Sequence, residues 1–527
     1  MLNLLNKLLR RSEISTPFTQ QADQFEAFIE GALASDFPPL RAMKPCAIVV
    51  LPWMETSVPW FAIALAFLYR KSGYPVSIVF HDQPLPSRHE PLYQMEVIKR
   101  ALKQLGSTFT ILKVTQCSAQ ATDPALVARF QDIAVINADT YLQRVEQGKS
   151  HEQIVRDLRH AFQQATDRLT PLFASGTFDH WVLPGGLYGF SSVYRLLGAH
   201  YGTRVSFYDS GTGTIVLGTD NVAGHCMDLA KAFSPRFESF IAEHGETMVL
   251  LARAELAKRL FASDRYSYQK TAAKAEDFAF GADVLIPLSI FDDAAGIGKT
   301  QSFADGAEWL RETVRWLLEE TSASVVIREH PSTRKVKTNR SIQLGVAESF
   351  KDHPRFRFIA GTDEVSTYAL LKRARVVLPC ASTVGVEAAA LGKHVVMEST
   401  AYYSTLDFVC RAPDRAAYFA AISHALHDAP PLSPEQRSHA WICYFMGQVA
   451  NFIDCDFTPI PEDFAKWVQL SFAELGAAQK NQMVVEVLAE NTPSCLVQGR
   501  QILDARDFDL PEARDLGLRL DQFFNSN

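Results

Sequence analysis

Short apolar runs closed by Pro, Gly or a polar cluster alternate along this chain with longer stretches whose apolar positions recur at helical spacing. Cys46–Leu51 lies between Pro45 and Pro52 and reads as a buried strand. Pro59–Lys71 follows as a helix closed by Gly73, and Val76–Phe80 as a strand ending at His81-Asp82. The rhythm continues with a helix over Tyr93–Leu105, a strand over Phe109–Val114, a long helical region over 121–173 and a strand over His180–Leu183. A helix over Ser191–His200, stopped by Gly202, and a strand over Val205–Tyr208 complete the series. Strand–helix–strand alternation predicts a parallel sheet with helices on its faces.

Residues 230–280 read as helical and charged, and a domain junction is expected there. A second series then begins, with strands over Val284–Leu288, Ser324–Arg328, Phe356–Ile359, Val376–Pro379 and Val395–Met397. Helices over Phe303–Glu320, Ser366–Arg373 and Val384–Leu391, the last closed by Gly392, alternate with them, and helices follow to the end of the chain. The expected class is α/β, with two Rossmann-like domains facing a cleft, over 45–280 and 281–430, and helical extensions over 1–44 and 431–527. Clefts between such halves are favoured places for small-molecule sites.

Composition narrows the function. A net charge of −7 and a pI near 6.1 give no global field for nucleic acid, so any anionic ligand is held by a local site. The eight cysteines are scattered, with no CxxC pair, and read as reduced thiols suited to the cytoplasm. No window approaches the ~18–20 apolar residues of a membrane span. Leu2, Leu5 and Leu9 share a helical face beside Lys7, Arg10 and Arg11, so residues 2–11 read either as a peripheral inner-membrane helix or as a terminal helix packed on its own domain.

Chemistry concentrates where apolar runs end. Arg328-Glu329-His330-Pro331 closes a strand, and Pro331 biases His330 towards an extended backbone. An imidazole there can donate to a phosphate oxygen, and the bland alternative is a loop-capping histidine. Ser382-Thr383 ends another strand and starts a helix, where N–H groups attract phosphate or the hydroxyls simply cap. Gly385 is expected to allow close backbone approach. Glu387 fits neither capping-box register and reads as a ribose acceptor or a solvated helix position. Gly298-Lys299-Thr300 looks like the end of a P-loop, but Asp293 stands where the first glycine belongs, which excludes triphosphatase chemistry and leaves Lys299 as a phosphate contact. Asp209, read as ending a strand, is a candidate acid, base or nucleophile towards a sugar, with a self-bonded Gly-rich turn as its rival. Glu55, His81 and Asp82 also stand at strand ends and are weaker candidates.

Arg328-Glu329-His330-Pro331, Ser366-Thr367-Tyr368-Ala369-Leu370-Leu371 and Ser382-Thr383-Val384-Gly385-Val386-Glu387-Ala388, with Gly392-Lys393, together resemble the capsule and surface-polysaccharide synthesis glycosyltransferases. These include the Kdo transferases and are distantly similar to bacterial sialyltransferases with a His-Pro motif. The resemblance runs over about 283–400 and weakens over 180–228, where Gly185-Gly186 and Tyr208-Asp209-Ser210-Gly211 look like diverged motifs. It implies a GT-B fold whose C-terminal domain binds the activated sugar and whose N-terminal domain receives the acceptor. His330, Arg328, Pro331, Ser382, Thr383, Gly385 and Lys299 would then surround the donor phosphate, and Glu387 would hold the ribose. The resemblance implies no cofactor and no metal. Asp209 stands where the family pattern has Glu, and Ser289 where it often has Gln.

The expected function is transfer of a sugar from a nucleotide-activated donor, CMP-Kdo-like or a UDP-sugar, to a saccharide or lipid-linked acceptor in bacterial capsule or lipopolysaccharide synthesis. The alternatives are a nucleotide-sugar epimerase or hydrolase of the same fold, and a non-catalytic glycan- or nucleotide-binding partner.

Overall fold

The computed structural model describes residues 17–53, 56–85, 92–144, 150–211, 213–219, 221–235, 238–261, 280–290, 300–334, 340–506 and 508–525. The chain divides into two units, one made of residues 1–224 and 452–492 and the other of residues 225–451 and 493–527.

In the first unit, β1 (Cys46–Val50), β2 (Val76–Phe80), β3 (Thr110–Lys113), β4 (His180–Pro184) and β5 (Arg204–Gly211) run parallel, and β6 (Thr214–Gly218) folds back antiparallel on β5. The strand order is β6-β5-β4-β1-β2-β3, with the short strand Ile453–Asp454 added beyond β6. β1, β2 and β4 are buried along their whole length. Continuous apolar runs of this kind belong to strands covered on both faces. The covering helices carry sequence-coded starts: Ser150 and Gln153 form a reciprocal capping box at the head of helix His151–Ala174.

The second unit repeats the plan. β7 (Val284–Pro287), β8 (Val325–Arg328), β9 (Phe356–Ile359), β10 (Val376–Val377), β11 (His394–Met397) and β12 (Cys410–Arg411) are parallel throughout, in the order β12-β11-β10-β7-β8-β9. Val325 and Ile327 enter one core cluster while Val326 enters another, the period-two signature of a strand packed on both faces. Helix Gly306–Glu320 begins later than the apolar pattern suggests, because Asp305 accepts hydrogen bonds from the N–H groups of Ala307 and Glu308 and so fixes its start.

Counted from its own first strand, each sheet has the order 3-2-1-4-5-6 of the doubly wound nucleotide-binding fold. The α/β class expected from the sequence is therefore present twice. Three features differ from expectation. The first unit's opening segment ends at residue 224 rather than 280, so helix Glu238–Leu260 belongs to the second unit. The segment after Tyr208 continues as a hairpin rather than ending, and the C-terminal region is shared between the units, with residues 452–492 packing into the first.

Candidate functional site

In a sheet of this order, ligands bind outside the carboxyl ends of the strands where the winding reverses. In the second unit that point lies between β7 and β10. β8 flanks β7, so at a strand spacing of roughly 4.8 Å the ends of β8 and β10 are about 10 Å apart. His330 follows β8 and Ser382-Thr383 follow β10, so these sequence-selected residues share one sheet edge.

The His330 turn is built on a buried carboxylate. Glu329 is 1% exposed. Its Oε1 and Oε2 accept from Arg340 Nε and Nη2, both at 2.6 Å, and Oε2 also accepts from the Gly361 N–H at 2.7 Å. Gln343 Nε2 donates to Oε1 at 3.3 Å. Burial disfavours the charged carboxylate, but these donors and the Arg340 charge outweigh it and hold the group below the usual carboxyl range. The His330 carbonyl accepts from Thr333 N and Oγ1, at 3.1 and 2.8 Å. A Cβ on Gly361 would stand 2.6 Å from that carbonyl oxygen and closer still to Thr333 Oγ1, so only glycine fits beneath the turn. His330 itself is half-buried, and Pro331 opens a 3₁₀ turn over Pro331–Arg334. Arg328 is 2% exposed, with Nη1 donating to the Ala360 carbonyl. Its guanidinium is thus turned to the loop after β9.

Ser382 and Thr383 are half-buried at the head of helix Val384–Ala390. The first-turn donors expected to await an anion already have acceptors: the Gly385 N–H meets the Ser382 carbonyl at 3.0 Å, and the Val386 N–H meets that of Thr383 at 3.0 Å. Ser382 Oγ accepts from Val384 N at 3.4 Å, and Thr383 makes no side-chain cap. Gly385 has a packing role rather than the ligand-approach role expected of it: a Cβ there would meet Pro379 Cγ at 2.9 Å and the Tyr403 ring at 2.9 Å. The Tyr403 hydroxyl in turn donates to the Ser382 carbonyl at 2.6 Å, fixing the turn from below. Glu387 is neither solvated nor open to the edge. It is 2% exposed and ion-paired to Arg259 at 3.0 Å.

Glu398, after β11 on the same edge, is a residue the sequence did not single out. It is 1% exposed, and Oε2 accepts from the N–H groups of Gln301 and Ser302, both at 2.9 Å. Its Oε1 is buried without a hydrogen-bond partner among the described residues. Burial raises its pKa against the pull of those two N–H groups and of Arg411. Ser399 Oγ next to it donates to the Cys380 carbonyl, which ties this loop to the Ser382 segment. Single acidic residues at strand ends are too common for sequence alone to select this one.

In the first unit, Tyr208 pairs with Pro184 at the end of β4, so Asp209 stands just past the carboxyl edge of the parallel strands, on the hairpin with β6. It is exposed, and its Oδ1 accepts from the Ser210 N–H at 2.8 Å. The sequence reading that ended the strand at Tyr208 is corrected: β5 runs on to Gly211 because Asp209 pairs with Val216. His81 is a core residue, 0% exposed, with Nδ1 3.0 Å from Tyr194 Oη and its ring centroid 4.0 Å from that of Phe190. Asp82 is tied to Thr115 N and Oγ1 at 2.9 and 2.5 Å. Lys299, Asp293, Glu55 and residues 2–11 lie outside the described residues. No described helix is long and apolar enough to cross a membrane.

Residues 243–407 match the family model described as capsule polysaccharide biosynthesis protein, and the resemblance seen over about 283–400 falls within that span. Protein FixF of Sinorhizobium fredii is 35% identical over 98 residues, 19% of this chain and 21% of that protein, so the match spans about a fifth of the curated relative. Among solved structures, the β-Kdo 2,4 transferase of Thermosulfurimonas dismutans KpsC is similar at 14% identity, over 50% of this chain and 88% of that one, with a TM-score of 0.31. A glycosyltransferase from Rickettsia africae ESF-5 matches at 10% identity over 85% and 99%, with a TM-score of 0.28. UDP-GlcNAc 2-epimerase from Neisseria meningitidis matches at 11% over 76% and 96%, with a TM-score of 0.25.

Proposed function

We propose that this chain, whose residues 243–407 match the capsule polysaccharide biosynthesis family model, is a glycosyltransferase that moves a sugar from a nucleotide-activated donor to a saccharide or glycolipid acceptor. One observation carries the reading. The His330 turn and the Ser382-Thr383 segment stand at the winding reversal of a 3-2-1-4-5-6 sheet, within the span that matches the family.

In this reading the acceptor oxygen bonds to the anomeric carbon as the bond to the donor phosphate breaks, and the nucleotide leaves with the electron pair. His330 donates a hydrogen bond to the phosphate as its charge grows, and the hydroxyls of Ser382 and Thr383 add donors beside it. Arg328 and Pro331 set the His330 turn, and Lys299 is a further phosphate contact. Asp209, on the first unit, is the candidate general base towards a sugar hydroxyl. The donor is CMP-Kdo-like or a UDP-sugar, the enzyme works in the cytoplasm, and residues 2–11 rest on the inner membrane where a lipid-linked acceptor is found.

The test is incubation with CMP-Kdo and a panel of UDP-sugars plus saccharide acceptors, following nucleotide release and acceptor mass. Transfer that falls about a hundredfold or more in His330→Ala supports the reading. Full transfer by His330→Ala sinks the proposed site.

Glu398 favours a second reading, a nucleotide-sugar epimerase or hydrolase, because that chemistry needs more acid–base carboxylates than the sequence offered. Isomerised or hydrolysed sugar appearing without any acceptor, and lost in Glu398→Gln, decides for it.

A further inference from the structure

We infer that the first unit carries a binding site for a compact oxyanion, a phosphate or small carboxylate group, at the amino edge of its sheet. This is the edge opposite the one where doubly wound sheets hold their substrates, so the transfer reading leaves it unused.

The register brings the site together. Cys46, His180 and Arg204 open β1, β4 and β5 and are paired side by side. In front of them lies a cavity of about 160 Å³ walled by Lys44, Tyr69, Tyr74, Asp179, His180 and Arg204. The volume is below the ~300–1,000 Å³ of pockets for drug-sized ligands. One phosphate, one carboxylate or one small sugar acid suits it, and a nucleotide does not.

Hydrogen-bond donors dominate the walls. Lys44 Nζ gives one bond to the Gly176 carbonyl at 2.8 Å, and Arg204 Nη2 gives one to the Ala489 carbonyl at 3.2 Å. An ammonium has three N–H donors and a guanidinium five, so both keep donors for a ligand. Tyr69 is 0% exposed, and its hydroxyl has no partner among the described residues. A buried hydroxyl left without a partner is costly, and an acceptor entering the cavity relieves that cost. Burial pushes the Tyr69 phenol well above its usual range, so it stays protonated as a donor.

The neighbouring groups do not cancel this character. Ser206 Oγ donates to the Thr219 carbonyl and therefore accepts from His180 Nε2–H at 2.8 Å. That leaves His180 Nδ1 to accept from the Cys46 thiol, with Sγ at 3.5 Å. The relay keeps the imidazole neutral and the thiol protonated, in accord with the downward shift of His180 and the upward shift of Cys46 on burial. Arg41 and Glu490 lie 4.0 Å apart beside Tyr74 and offset one another. Two cations, Lys44 and Arg204, then face one exposed carboxylate, Asp179, on the rim. Asp179 suits a ligand that carries a hydroxyl as well as its anionic group.

The test is calorimetric titration of the full chain at fixed ionic strength with inorganic phosphate, acetate and D-glucuronate in separate arms, with sodium chloride as control. Saturable binding in at least one arm is expected, weakened about tenfold or more by Arg204→Gln and several-fold by Tyr69→Phe. The arm that binds identifies phosphate or carboxylate as the source. Tyr69→Phe keeps the ring and its packing, so it decides the matter if Arg204→Gln, which loses the Ala489 bond, does not fold. His330→Ala and Ser382→Ala are expected to leave this binding unchanged. Absence of saturable binding in every arm overturns the inference, as does binding indifferent to both first-unit substitutions or abolished by His330→Ala.

Discussion

Arg259 Nη1 lies 3.0 Å from Glu387 Oε1, with the two side chains only 9% and 3% exposed. The second guanidinium nitrogen donates to Gln448 Oε1 at 2.9 Å. Helix Glu238–Leu260 is thereby bolted to helix Val384–Ala390, directly behind Ser382 and Thr383. The resemblance to surface-polysaccharide transferases gives Glu387 a ribose to hold, whereas the structure gives it an arginine.

Breaking this pair from one side leaves a buried charge without its partner. Glu387→Gln or Arg259→Gln is expected to cost about 3–5 kcal/mol of unfolding free energy, read from urea midpoints. Replacing both, as Arg259→Met with Glu387→Leu, recovers most of it. If Glu387 instead acts on the ribose, Glu387→Gln raises the donor KM and leaves the urea midpoint where it was.

The His330 turn depends on the absence of a side chain at Gly361. Gly361→Ala brings a methyl group within 2.6 Å of the His330 carbonyl oxygen. The turn must shift, with a loss of about 1–3 kcal/mol. Because the displaced element carries His330, nucleotide affinity should fall together with the melting temperature. A variant that loses stability but binds nucleotide as before would separate the turn from the ligand.

The strands were legible because β1, β2, β4, β7 and β8 are continuous apolar runs between punctuating residues, and each appears within a residue or two of its expected bounds. Placing His330 and Ser382 on a common sheet edge needed only that rhythm and the winding rule. What stayed hidden was long-range pairing. Arg259 and Glu387 are 128 residues apart, and nothing near either names the other. Arg340 gripping Glu329 is likewise set by the fold of the turn. β6 escaped because the Gly-rich sequence after Ser210 reads as a loop closing a strand, whereas β5 and β6 pair antiparallel, and Ile453–Asp454 is too short to leave a pattern.

Glu398 should reveal itself through pH. Its folded-state pKa is raised by burial, so the folded chain holds a proton that the unfolded chain has released. That contribution to stability is full below the unfolded carboxyl pKa and is lost as pH rises through the folded value. Glu398→Gln keeps an acceptor for the Gln301 and Ser302 N–H groups and cannot ionise. Its urea midpoint is expected to decline less than that of the wild type between pH 5 and pH 8. Identical slopes would show that Glu398 is charged throughout.

His81 gives the opposite slope. Complete burial pulls its pKa from 6.5 to about 3, against the weaker upward pull of Asp82. The unfolded chain therefore binds a proton that the folded chain refuses, so stability is full above the unfolded pKa and drains away as pH falls from about 6.5 towards about 3. The amount is on the order of a few kcal/mol. His81→Asn removes the titration while leaving a polar atom near Tyr194 Oη. It is less stable than the wild type at pH 7.5, because the ring packed on Phe190 is lost, but its stability changes less on going to pH 4.5. Carboxylates elsewhere tilt both curves alike, so the difference between variant and wild type isolates the imidazole. A difference that stays constant from pH 7.5 to pH 4.5 would mean that His81 takes up its proton in the folded chain as readily as in the unfolded one.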